Sequence, residues 1–421
     1  MSANLQEAVS RHQLEAVLPE YCILRWHHAL LCAVYATLFL FFSYLPVSNW
    51  RTWNDVRVGS LGQDVANLVP LSEGIRHFEI GQGGSWVIAK IHQIGGVELL
   101  SLTFAFVQLA TLACWSLVFY RLTNKWWSTF GSLVLGIGCI ASLDGLTGQT
   151  FGLLAFALLA LVLVSRLPSM DTELSGDIEE PAWSSARTLD WIGISVLFCL
   201  WANLDASFVI GLALMVCFAL ARAIELAVQH GVKAALADHE FQKRVWVLEL
   251  AALTTLLNPQ GIGLWKSLFW WPDNPFVRSF GGWSPTTMAS IAGVLVFSSW
   301  AVFAAISRTR KPPAFWMITL IGLTVAVAVC SSMIVWFAPL SVAAIFAVYG
   351  RQPQPTSHPA DTPNDESQRP LRFVYSLLTC LVIWFAFSFS PWGSMLLGGK
   401  SRQESQLIGP RMPIAARDYL R

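Results

Sequence analysis

Apolar residues in this chain gather in long unbroken runs, without the spacing that would leave one face of each element in water. The runs cover about 29–47, 97–120, 126–143, 149–165, 189–204, 206–221, 245–257, 288–306, 314–331, 333–349 and 373–390. A helix rises about 1.5 Å per residue, so roughly 20 residues that are apolar on every side match the hydrocarbon thickness of a bilayer. The pattern predicts an all-α fold, a polytopic membrane helical bundle of about eleven transmembrane helices. The runs 126–143, 189–204 and 245–257 fall short of that length and span only if their polar ends extend them. No internal repeat interrupts the series.

Composition agrees with the runs. Of 421 residues, 55% are hydrophobic and 13% charged, against about 25% charged in a soluble domain. Twenty Trp are present, and Trp50, Trp53, Trp126, Trp127, Trp191, Trp271 and Trp283 fall at the ends of apolar runs, where an aromatic belt would sit. A net charge of +1 leaves no basic surface for a nucleic-acid partner. The eight Cys lie within or beside apolar runs without a CxxC, so neither a disulfide framework nor a thiolate metal site is indicated.

Charge also orients the chain. With a cytoplasmic N-terminus, the connections expected inside hold 16 of the 27 Lys and Arg, as the positive-inside rule asks. The run Arg308–Thr309–Arg310–Lys311, free of acids, is the strongest single indication. The expected organisation is a cytoplasmic or interfacial segment 1–28 and a transmembrane domain 29–390. Within that domain fall an outer loop at 48–96 and flexible inner linkers at 168–187 and 351–370. An outer tail at 391–421 reads as the start of a further periplasmic domain. The expected location is the cell (inner) membrane, crossed many times.

The first outer loop, 48–96, is the longest polar stretch on the outer side. It carries Asp55, Asp64, Glu73, Glu79, Arg51, Arg57, Arg76 and Lys90 among Trp50, Trp53 and Trp86. Apolar positions between the charges predict amphipathic helices lying at the membrane surface. Further polar residues at outer run ends, Asp144, Gln149, Asn203, Asp205 and Asn258, would deliver carboxylates and amides to the same face. At WANLDASFVIGL, 201–212, two apolar runs meet almost without a loop. Asn203 and Asp205 there either cap helix ends or face an outer cavity. At LLNPQGIGLW, Pro259 and Gly261 stop a span that Asn258 can cap. His77 and His92 lack metal-binding spacing.

WANLDASFVIGL, LLNPQGIGLW and the later FGGWSP, together with the order of short inner N-terminus, span, large outer loop and many spans, resemble the GT-C superfamily of membrane glycosyltransferases. The resemblance extends over nearly the whole chain through short motifs. It implies a sugar taken from a polyprenyl-phosphate carrier at the outer membrane face, an unidentified acceptor, and a divalent metal (Mg or Mn) in some members. It implies an acidic base in the first outer loop: Asp55, with Asp64 second. Relatives tend to have Asp before the loop's Trp and His after it, whereas this chain reads Arg51-Thr52-Trp53-Asn54-Asp55. The hairpin position often held by His is Asp205. Arg57 and Arg76 would clamp phosphate, and Asn203, Asp205, Asn258 and Trp283 would line the substrate site. Asp205 and Asp144 are the metal candidates. The alternative is a degenerate, non-catalytic member that binds a carrier lipid or a partner enzyme. A transporter is a third class, for which neither inverted repeats nor charges near mid-span speak.

Overall fold

The computed structural model describes residue 24 and residues 26–61, 81–132, 145–167, 187–270, 284–309, 311–350, 369–400 and 402–409. Of these, 83% are helical and none forms a strand, which establishes the all-α class. In chain order the helices are α1 (Trp26–Tyr44), α2 (Trp50–Leu61), α3 (Gln82–Thr123), α4 (Gly148–Val164), α5 (Arg187–Leu204) and α6 (Phe208–His230). They continue with α7 (Val232–Ala237), α8 (His239–Thr254), α9 (Ile262–Trp270), α10 (Ile291–Ser307), α11 (Ala314–Val329), α12 (Ile334–Gly350), α13 (Arg369–Phe389), α14 (Pro391–Leu396) and α15 (Glu404–Leu407). Among the described residues four segments are long and apolar enough to cross a membrane: α1, α3, α6 and Ser331–Gly350, the last including a short 3₁₀ turn before α12. Further apolar helices of 10–17 residues lie at Gly148–Val164, Trp191–Leu204, Ile291–Ser307, Ala314–Val329 and Val374–Phe389.

The chain divides into two compact units. One comprises Met1–Pro46, Ser101–Leu109 and Pro353–Arg421. Within it α1 packs along α13. The Tyr44 hydroxyl donates to the Phe389 carbonyl at 2.7 Å, and Phe42 meets Phe104 edge to face at 5.9 Å. Ser390 caps α14, its hydroxyl accepting from the Gly393 N–H at 3.0 Å, with Pro391 at the first helical position where its missing N–H costs nothing.

The other unit comprises Val47–Leu100 and Ala110–Gln352. Its core is aromatic. Trp201 stacks on Phe198 at 5.6 Å, and Phe156 sits edge-on to Trp336 at 5.1 Å; all four are at most 2% exposed. Such edge and offset geometries suit the quadrupoles of the rings.

Three features outside the apolar runs or at their ends have local causes. The segment expected as an outer loop contains helix: α2 covers Trp50–Leu61, and α3 begins at Gln82, well before the apolar run. The Asn49 side chain starts α2 by accepting the Arg51 N–H at 3.0 Å. Thr52 is buried and Asp55, Val56 and Gly59 beside it are half-buried, while Trp50, Arg51, Asn54 and Arg57 are exposed; Val58 is buried between two of these exposed positions. α3 is broken at Gly95 and Gly96. Gly96, at φ 61° and ψ −153°, holds a conformation essentially reserved for glycine. The apolar segment therefore begins where the pattern puts it, and the polar turns before it are helical too. Third, the run at 126 opens as a 3₁₀ helix, Trp126–Phe130. Residues 133–144, the linkers at 168–186 and 351–368 and the end of the tail lie outside the described residues.

Candidate functional site

The site is assembled by backbone approaching backbone. A Cβ added to Gly83 would lie 2.6 Å from the Asn203 carbonyl oxygen, and one on Gly84 would run into that of Leu204. Gly148 faces the same Leu204 carbonyl at 2.8 Å, and Gly59 leaves room for the Ser85 carbonyl. Only glycine permits these approaches. Through them the start of α3 (Gly81–Gly84) and the start of α4 (Gly145–Gly152) close on the turn at 203–207, while α2 closes on α3 at Ser85. The α5–α6 turn is as tight as the sequence indicates, with α5 ending at Leu204 and α6 opening at Phe208.

Asp55 and Asp205 meet at this junction. Asp55 is half-buried on α2, and its carboxylate accepts the Ser85 hydroxyl at 3.3 Å and the backbone N–H of Gly148, the first residue of α4. Burial is the largest influence and pushes its carboxyl up to about 6. The Ser85 and Gly148 donors and Arg51 pull it down, and Asp205 pushes it further up. Asp205 is also raised, chiefly by burial, against hydrogen bonds from Ser207 and Ala206 and the charge of Arg51. Its Oδ2 accepts the Ser207 N–H at 3.0 Å, and the Ser207 hydroxyl in turn accepts Trp201 Nε1 at 3.0 Å. Gly152 opens this corner, since a Cβ there would lie 2.8 Å from Asp205 Oδ2. Two carboxyls and one guanidinium thus share a partly desolvated space at a helix start, where N–H dipoles favour negative charge.

The other residues singled out by sequence divide three ways. Asn203 and Asn258 hold turns. Asn203 Nδ2 donates to the Cys199 and Leu257 carbonyls at 2.7 and 2.9 Å. Asn258 accepts the Gln260 N–H at 2.8 Å and donates to the Thr255 carbonyl. With Gly81, Gln82, Gly83 and Gln260 these amides line a small cleft beside the carboxylates. Arg57 is exposed and exerts no resolved effect on either carboxyl, whereas Arg51 acts on both. Asp64, Arg76, Asp144 and Trp283 lie outside the described residues.

Sequence reading passed over Arg51, Ser85, Gly148 and Thr52. Thr52 is fully buried, its hydroxyl unpaired and facing Gly145. The available signal was the pair of glycine clusters GQGG at 81–84 and GLTGQTFG at 145–152. Among the described residues no three His, Cys, Asp or Glu side chains group to hold a metal. Of the two carboxylates, Asp205 is already engaged by Ser207, so these donors do not by themselves form a metal cage. The chain matches no protein-family model and no curated protein. Its class therefore rests on the helical fold, the apolar helices and this paired-carboxyl junction.

Proposed function

We propose that this is a multi-pass inner-membrane protein of GT-C type, with a cytoplasmic N-terminus, that transfers a sugar from a polyprenyl-phosphate carrier to an acceptor at the outer face. The observation that carries the reading is Asp55: a carboxyl from the loop after the first span, held by Ser85 and Gly148 beside Asp205, with its pKa raised to about 6. A general base works best when its pKa lies near the operating pH, because it is then both ionised and basic enough to take a proton. Asp55 would remove the acceptor's proton as the sugar moves. Arg51 would offset charge that develops beside it, and Asp205, fixed by Ser207, would shape the acceptor side.

The alternative is a non-catalytic module that binds a carrier lipid or a partner enzyme. The engagement of Asp205 in its own turn favours it, since a capping carboxylate needs no chemical task. The two readings separate on one substitution. Asp55→Asn keeps shape and hydrogen-bonding capacity but cannot accept a proton. Transfer from a radiolabelled polyprenyl-phosphate sugar in proteoliposomes is expected to vanish in that variant while its size-exclusion profile stays native. Full turnover by Asp55→Asn removes Asp55 from the chemistry. Undiminished carrier binding with no turnover in the parent chain supports the non-catalytic module.

A further inference from the structure

The C-terminal ends of α3 and α12 meet in the larger unit. Gly350, the last residue of α12, lies so close to the Leu122 carbonyl that no side chain would fit there. The 3₁₀ turn Trp126–Phe130 follows α3 and lays Trp127 against α12. Its ring stands edge-on to Phe346 at 5.9 Å and to Tyr349 at 5.7 Å. Lys125, at the head of that turn, places its ammonium 5.3 Å from the centre of the Tyr349 ring. Arg121 lies in the last turn of α3 and is exposed.

No acid answers these two cations. Asp and Glu are absent from 99–143 and from 274–360, and the ion pairs among the described residues are Arg222 with Asp238 and Lys243 with Glu240. Nor are the cations needed as caps. The Phe119 carbonyl accepts the Thr123 hydroxyl at 3.0 Å, and the Tyr120 carbonyl accepts the Asn124 N–H at 2.7 Å. That second bond sets Lys125 about one helical turn beyond Arg121, so side chains of this length reach one small anion together. A ring face attracts a cation without consuming its N–H donors, so Lys125 keeps its donors for an oxygen ligand. Apolar surface continues from this point: Ala113, Leu117 and Tyr120 recur on one face of α3 and are exposed, Leu117 at 49% and Tyr120 at 44%. In a helix that crosses a membrane, such a face meets acyl chains, and its end, rich in Trp, Tyr and cations, meets the headgroups.

We propose that an anionic phospholipid binds on the open surface at the end of α3. Arg121 and Lys125 hold its phosphate beside Trp127 and Tyr349, and one acyl chain lies along Leu117 and Ala113. Arg suits the task because its planar fork meets phosphate oxygens in pairs, and Lys adds a point charge. The exposed apolar stripe selects a lipid over free phosphate, since phosphate alone gains nothing from Leu117. The site shares no residue with the carboxyl junction and does not depend on sugar transfer.

The test uses the purified full chain in a neutral detergent, titrated with phosphatidylglycerol, with phosphatidylcholine of the same acyl chains, and with inorganic phosphate. Native mass spectrometry is expected to show phosphatidylglycerol retained in preference to the other two. Arg121→Gln and Lys125→Gln are each expected to weaken that binding about fivefold, the weight of one cation at an anionic surface. Lys233→Gln removes an exposed cation from α7 and is expected to leave binding unchanged, which separates a defined site from diffuse attraction. Equal retention of phosphatidylcholine, or displacement of the lipid by phosphate alone, overturns the proposal. So does a loss in Lys233→Gln as large as that in Arg121→Gln. Undiminished binding in Arg121→Gln, an exposed position whose change spares the core, overturns it even where Lys125→Gln fails to fold.

Discussion

The two ends of α4 hold charge by opposite means. At its start, Asp55 and Asp205 are met by backbone N–H groups and hydroxyls, from Gly148, Ala206, Ser85 and Ser207, with Arg51 as the cation acting on both. At its far end side chains pair with side chains: Arg222 grips Asp238 through Nε and Nη2 at 3.2 and 3.3 Å, and Asp238 also caps α8 by accepting the Phe241 N–H at 2.9 Å. The outcome for the acids differs accordingly. Asp238, partly exposed and directly paired, is held below the usual carboxylate range, whereas Asp55 and Asp205 are raised because burial outweighs their donors. A helix start and a few hydroxyls do not compensate a desolvated carboxylate as a bidentate guanidinium does. The acid that remains protonatable near neutral pH is the one suited to moving a proton.

The sharpest way to break this contrast is Asp55→Asn, for which the proposed sugar transfer is expected to fall at least about 10²-fold, the usual worth of a positioned base. Next comes Gly152→Ala. Its methyl would enter the space of Asp205 and Ser207, and overpacking of this kind costs about 1–3 kcal/mol; a lowered melting temperature and lost activity are expected together. Asp238→Asn removes the ion pair with Arg222 while its amide oxygen can still cap α8, and a loss of up to about 1 kcal/mol, the range of partly exposed pairs, is expected in chemical denaturation.

The pH dependence of stability separates the two acids further. Asp55 has a folded-state pKa of about 6 against an ordinary value of 3.8, so between these values the folded state binds more protons than the unfolded. Its contribution therefore favours folding at low pH and is lost as pH rises through about 6. Asp238, depressed on folding, contributes in the opposite sense: its stabilisation is present above the ordinary carboxylate pKa and fades as pH falls below it. Melting curves of Asp55→Asn are expected to lose the part of the decline between pH 3.8 and about 6 that Asp55 contributes, Asp205 keeping its own. Those of Asp238→Asn are expected to keep that decline and lose sensitivity below pH 4. The smallest effect is expected at Gly322, mid-helix in α11 with nothing within 4 Å of an added Cβ. There Gly322→Ala should stabilise by up to about 1 kcal/mol through helix propensity alone.

Much of this molecule is legible in its apolar runs. α4, α5, α11 and α12 fall within a few residues of the runs at 149–165, 189–204, 314–331 and 333–349, because a continuous apolar stretch has no competing way to satisfy its backbone. The turn at 203–207 was visible where two runs meet at Asn203 and Asp205. Less visible were the helical turns before the Gly95–Gly96 break, whose mixed polarity resembles a loop. Arg51 was overlooked in favour of Arg57, since charge spacing along one segment says nothing about which residue faces a distant carboxylate.

What the sequence determined by itself is the class of the chain, all-helical and rich in apolar segments, and the presence of acids at the ends of those segments. These are local properties, set by hydropathy, helix periodicity and capping chemistry. Only the tertiary structure decided that Asp55 meets Asp205, that Ser85 and Gly148 hold it, and that the Arg244 guanidinium lies over the Phe218 ring. Each depends on how closely backbones approach across glycines far apart in the chain, and the spacing of residues along a single segment does not encode that closeness.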